Sequence, residues 1–170
     1  MINLKRKLRV FLFLKENKDV LVNIRPYYVN DQPQLLELLR SNTPRFFDPS
    51  EEKEFLEYLQ QDSENYYIIE EANAVIGSGG FNYGFDHGKT ARISWGMVHP
   101  DWQGKGVGKK LTQFRINEIK KHPEVEKIVV RTSKMVHRFY QKQGFELEKI
   151  KKDYWAPGFD LYQMGMVIKK

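Results

Sequence analysis

Between Ala91 and Leu111 the chain reads ARISWGMVHPDWQGKGVGKKL, and this stretch limits the fold more than any other. Its first part, ARISWGMVHP, reads as a strand closed by Pro100. Its last part opens a helix from about Gly108 to Lys121, with Leu111, Phe114, Ile116 and Ile119 as candidate core residues. Between them, glycines recur at Gly104, Gly106 and Gly108, interleaved with Lys105, Val107 and Lys109. Residues without side chains let consecutive backbone N–H groups face one anion, and a helix N-terminus adds its positive dipole end. Lys105, Lys109 and Lys110 add longer-range attraction. Read by itself, the segment is either an anion cradle or a glycine turn with solvated lysines.

The rest of the chain supplies a sheet around this unit. Val20–Tyr28 (VLVNIRPYY) reads as a strand, followed by a helix with Asp31 as N-cap, Pro33 inside its start and a stripe of Leu35, Leu36, Leu38 and Leu39. A second short helix starts at Ser50, with glutamates in its first turn and Phe55, Leu56 and Leu59 as its apolar residues. YYIIEEANAVIGSGGFNYG gives two strands around a turn at Glu71–Asn73. KIVVRTS is a further strand, and KMVHRFYQKQGF a helix ending near Gly144. ELEKIKKDYW and DLYQMGMVI close the chain as strands. The order predicts one α/β (or α+β) domain over residues 22–170, preceded by an extension over residues 1–21.

Composition narrows the chemistry. A chain of 170 residues with 41% hydrophobic and 29% charged residues supports one domain with a proper core. It contains no cysteine, which excludes disulfides, cysteine-ligated zinc and a cysteine nucleophile. The four histidines, His87, His99, His122 and His137, form no HExxH pair, so no metal is expected. The apolar run from Val10 to Leu14 is far shorter than the roughly 20 residues of a membrane span. It is also shorter than a secretory core of about 7–15 residues, and no small-residue cleavage site follows. The expectation is a cytoplasmic protein without a membrane partner. The net charge of +6 suits nucleic acid or any polyphosphate. The basic residues are scattered through helices and termini and do not alternate with stacking aromatics along a face, so no nucleic-acid partner is expected.

Two phosphate cradles fail on the letters. A P-loop ending at Gly108-Lys109 needs glycine where Gln103 stands, and a hydroxyl where Lys110 stands. The dinucleotide pattern G-x-G-x-x-G needs glycine at Lys109 or Leu111. The pattern present is Q-x-x-G-x-G, from Gln103 through Gly106 to Gly108.

With that pattern the chain resembles the GCN5-related N-acetyltransferase (GNAT) superfamily. VHPDWQGKGVGKKL resembles its acetyl-CoA pyrophosphate signature, and RTSKMVHRFYQKQGFE its second signature, a helix carrying FYxxxGF. IRPYYVNDQPQLLELL and YYIIEEANAVIGSGG are similar to its first strand and helix and its following hairpin. The resemblance spans about Val22 to Val167. It implies a mixed, twisted central sheet of about six to seven strands with flanking helices, splayed between the fourth and fifth strands. It implies acetyl-CoA as cosubstrate, its pyrophosphate on the backbone of Gln103, Gly104, Lys105, Gly106, Val107, Gly108 and Lys109. Pantetheine would pair with Met97 and Val98 like an added strand. Ser133 stands where many relatives carry an asparagine that contacts the pantetheine arm.

The activity implied is direct transfer of an acetyl group to a primary amine of a small molecule or peptide, with Tyr140 as general acid and Phe139 beside it as core. A non-catalytic acyl-CoA sensor on the same fold is the alternative, and a homodimer is left open. Many relatives place a glutamate on the fourth strand, but RISWGMV carries no carboxylate. Asp86, His87, His99 and Asp160 are the candidate bases. Tyr83, Trp95, Tyr154 and Trp155 are candidates for an acceptor wall, or for ordinary core.

Overall fold

The hairpin predicted around Glu71–Asn73 turns on Ala72 and Asn73, both at positive φ (49° and 67°), as two-residue hairpin turns require. It joins β2 (Tyr66–Glu71) to β3 (Ala74–Phe85). The computed structural model describes residues 22–168, so the expected extension over 1–21 lies outside the described residues. Five further strands complete one sheet: β1 (Asn23–Pro26), β4 (Thr90–Val98), β5 (Lys127–Thr132), β6 (Glu146–Ala156) and β7 (Phe159–Val167). Their spatial order is β1-β2-β3-β4-β5-β7-β6. All neighbours are antiparallel except β4 and β5, which run parallel. The mixed sheet and its flanking helices are those the resemblance implied.

Helices cover both faces. On one, α3 (Val107–Ile119) and α4 (His137–Lys142) pack Ile116, Ile119 and Tyr140 against Ile93, Val130 and Met164. On the other, α1 (Gln32–Ser41) and α2 (Glu51–Gln61) pack Leu35, Leu38, Leu39, Phe55 and Leu59 against Ile68 and Met97.

Two features of β4 position the site. Gly80 pairs with Ser94 and Ser78 with Met97, so Trp95 and Gly96 together face the single residue Gly79. This is a β-bulge, with Trp95 at φ +44°. On its other side, β4 pairs with β5 only from Thr90–Lys127 to Ile93–Val130. Beyond that rung the two strands part.

The first strand is shorter than VLVNIRPYY suggests. Tyr28 N–H leaves the ladder and donates to Asp31 Oδ2 at 2.8 Å. Asp31 does precede α1, but its carboxylate makes no helix cap. It takes both Nη atoms of Arg25 at 2.8 Å, while Arg25 Nε reaches Glu70 at 2.9 Å. This cluster fastens β1 to β2 and to the entry of α1. The Arg25 guanidinium holds the Asp31 carboxyl below its ordinary value. Its stabilising effect is therefore present above about pH 4 and is lost as the pH falls through the depressed value. Asp31→Asn should cost about 1–3 kcal/mol at pH 7. In urea titrations the gap between variant and wild type should narrow from pH 4 towards pH 2. A constant gap would show that the carboxylate's charge does not matter.

Candidate active site

The parting of β4 and β5 opens a cleft of about 1110 Å³. Its floor is Ser94–Val98 on one side and Val130–Ser133 on the other, and the first turn of α3 closes one end. The bulge turns β4 here, and the backbone from Ser94 onward has no strand partner on the β5 side. An extended ligand could pair with this inner edge.

The N-terminus of α3 faces the same cleft. Gly106 is its N-cap at φ +84°, and the first helical bond runs from Lys110 N–H to Gly106 O. The N–H groups of Val107, Gly108 and Lys109 precede that bond and have no acceptor within the helix. A Cβ built on Gly106 meets nothing within 4 Å, so this side of the loop is open. The Val107 side chain is core, which leaves only its backbone for a ligand. Lys109 lines the cleft, while Lys105 lies over the Trp102 ring at 5.0 Å.

Gln103 acts inward. Its Nε2 donates to Val98 O at 3.0 Å and to Asn42 Oδ1 at 3.1 Å, and its own N–H is bonded to Pro100 O. The side chain thus ties the loop to the end of β4 and to the C-terminal end of α1. Across the cleft, the Ser133 hydroxyl is buried and has no hydrogen-bond partner.

Tyr140 reaches the cleft because of how α4 ends. Gly144, at φ +94°, donates to Gln141 O, and Phe145 N–H donates to Tyr140 O. This is a Schellman termination, and its usual hydrophobic contact is the Tyr140–Phe145 ring pair at 5.6 Å. The ring is held in the core with 6% of its surface exposed. Its hydroxyl points at Gly96, where an added Cβ would sit 3.3 Å from it.

The same Cβ would also meet Arg115 Nη2 at 3.2 Å and Nη1 at 3.3 Å. Sequence reading passed over Arg115, which is 1% exposed on α3. Its guanidinium makes three long contacts of 3.4 Å, to Gly80 O, Ser94 O and Thr112 Oγ1, and its Nε has no partner. No described carboxylate pairs with it. Glycines where β3 and β4 cross over it were the available signal, since glycine inside a strand marks close approach.

The four candidate bases lie elsewhere. Asp86 and His87 form the exposed β3–β4 turn. His99 accepts from Asp101 N–H and lines a separate small cavity with Gln34 and Glu37. Asp160 accepts from Asp153 N–H and shapes the β6–β7 hairpin. The carboxylate that does line the cleft in a buried setting is Glu51, 7% exposed, whose carboxyl burial pushes up. It accepts from Asp48 N–H at 2.8 Å, at the start of α2. Of the expected aromatic wall, Tyr83, Trp95 and Trp155 line the cleft, and Tyr154 does not. Trp95 is built into the α2 interface, stacked on Phe47 at 5.9 Å and close to Phe55 at 5.0 Å. Among the described residues, no cluster of His, Cys, Asp or Glu could hold a metal, and no helix is long and apolar enough to cross a membrane.

The profile described as "Acetyltransferase (GNAT) family" matches residues 33–145. The chain belongs to that family. No curated protein sequence matches it. Its fold is similar to the ribosomal-protein-S18-alanine N-acetyltransferase of Escherichia coli (18% identity, TM-score 0.73, 88% of this chain and 96% of that one). It is also similar to Ard1 of Thermoplasma volcanium (16% identity, TM-score 0.74, 88% and 99%). A third likeness is to a chain of the NatC complex bound to Gag peptide and CoA (17% identity, TM-score 0.71, 87% and 99%).

Family cosubstrate and loop geometry together predict a contrast. Gly106→Val imposes a strained φ and fills the open side of the loop, so coenzyme A affinity should fall at least tenfold, about 1.4 kcal/mol. At Gly108 a Cβ meets Phe139 and Val98 only at 3.5–3.6 Å. Gly108→Ala should therefore retain affinity within about threefold, a range that calorimetric titration resolves. Equal losses in the two variants would mean that the φ of Gly106 is not what the ligand reads.

Proposed function

We propose that the protein is an acetyl-CoA-dependent N-acetyltransferase that acetylates a primary amine of a small molecule or peptide by direct attack. The observation that carries this reading is the convergence of the Tyr140 hydroxyl and the Arg115 guanidinium on Gly96, where the sheet splits. When bound, acetyl-CoA supplies an acetyl group already activated as a thioester. The residues suit such a ligand: free N–H groups at the start of α3 for a pyrophosphate, the inner edge of β4 at Met97 and Val98 for pantetheine, and the unpartnered Ser133 hydroxyl for a hydrogen bond.

The protein's task is to move protons and to hold charge. An alkylammonium with a pKa near 10.4 must lose a proton, which costs roughly 4–5 kcal/mol at pH 7. Glu51 suits that step, because a carboxyl pushed up by burial comes closer to the working pH of a base. Tyr140 donates its phenolic proton to the departing sulfur. The Arg115 guanidinium favours negative charge developing beside it, in a cleft where few water dipoles screen it.

Tyr140→Phe removes one oxygen and leaves the ring and the helix termination intact. An interaction made mainly in the transition state appears in kcat and not in cosubstrate affinity. The variant should lose at least tenfold in kcat, within the 10²–10⁴ typical of a general acid less what water restores, at near-constant acetyl-CoA affinity. Thiol release with a panel of amines and peptides gives the rate, and a binding isotherm the affinity. Full activity would return Tyr140 to a packing role.

A further inference from the structure

Two arginines flank the rung where β4 and β5 part. Ile93 and Val130 form that last pair and point into the core with α3. Arg92 precedes Ile93 and Arg131 follows Val130, so alternation puts both on the opposite face, where both line the cleft. Aromatic rings hold them in place. Arg92 lies over Phe85 at 4.0 Å, and Arg131 over Tyr154 at 4.7 Å and Trp155 at 4.9 Å.

Neither guanidinium is neutralised. Among the described residues neither forms an ion pair or donates a hydrogen bond, and Arg92 Nε is buried without a partner. Burial and the neighbouring charge of Arg131 both push the Arg92 guanidinium down, with Tyr154 and Asp86 opposing more weakly. A stacked guanidinium keeps its in-plane N–H donors for a second partner, and that fork matches a carboxylate. Glu51, Glu54, Asp62 and Glu64 line the same cleft, which thus carries both signs.

We propose that Arg92 and Arg131 bind the carboxylate of the acceptor, so that the amine acetylated belongs to an amino acid or to a short peptide carrying a free carboxylate. This deepens the acetyltransferase reading and rests on it. A bidentate contact at the last rung would leave the amine of an amino acid free to turn towards the inner edge of β4. Polyamines and other purely cationic amines would meet two like charges at that point.

The test pairs each acid with its neutral counterpart. Leucine, methionine and phenylalanine are compared with their α-carboxamides, and dipeptides with free and amidated C-termini separate the two sources of carboxylate. At least one acid should exceed its amide tenfold or more in kcat/KM. Arg131→Gln should cut that ratio at least tenfold, and Arg131→Lys should restore part of it. Arg92→Gln should act in the same direction; if it does not fold by circular dichroism, the Arg131 pair of variants decides. Equal or better use of the amides overturns the proposal. If no amine is acetylated at all, calorimetric titration of the same acids in the presence of coenzyme A separates the two readings. Binding that Arg131→Gln weakens tenfold keeps the carboxylate site and removes the transfer reading, whereas no binding of any acid overturns the site.

Discussion

The site depends on a sheet that stops pairing in its middle. Parallel β4 and β5 share four rungs and then diverge, just before the Trp95–Gly96 bulge in β4. An unpaired backbone edge inside a fold is costly unless something satisfies it. Here the edge lies beside the first turn of α3, whose own N–H groups are also without helical partners. Two sets of backbone groups without strand or helix partners therefore face one cleft, with Ser94 O and Val98 O accepting from the side chains of Arg115 and Gln103. The loop that joins them is kept in place by Gln103, which bonds both the end of β4 and α1.

Charge in the cleft is arranged by burial more than by ion pairing. Arg115 sits under the bulge with only weak carbonyl and hydroxyl contacts, an arrangement that rarely persists without a partner. Room for it comes from missing side chains: a Cβ on Gly79 would lie 2.8 Å from Arg115 Nη1. The ordinary salt bridges are spent elsewhere, on Arg25 with Asp31 and on Arg40 with Glu52. Arg25 and Arg40 are paired with carboxylates, whereas of the arginines lining the cleft Arg92 and Arg131 are stacked on rings and Arg115 is buried.

Much of the frame was readable from local chemistry. The turn at Ala72–Asn73, the glycine stop after α4 and the strand–loop–helix around Gly106 each announce themselves within a few residues. The position of β7 between β5 and β6 does not, because strand order is set by packing far along the chain. The site was legible unevenly for the same reason. Gly106 and Tyr140 stand in short motifs. Arg115 reads as one more polar residue on a helix, and Glu51 as a first-turn glutamate, until β3 and α2 fold over them. The bases expected from sequence lie outside the cleft lining, because residue type alone does not say which way a turn faces. His99 follows the strand directly, yet its ring lines a different cavity.

The four rungs between β4 and β5 have a mechanical meaning as well. They join a four-stranded half, β1 to β4, to a three-stranded half, β5 to β7. On the α3 face the halves are also glued by one apolar cluster, in which Phe81, Ala91 and Ile93 meet Ile128, Val130 and Met164. On the opposite face α1 and α2 pack against β2 and β4, within one half only. Beyond the Ile93–Val130 rung no strand pairing ties one half to the other, so a ligand seated there would bridge the two halves.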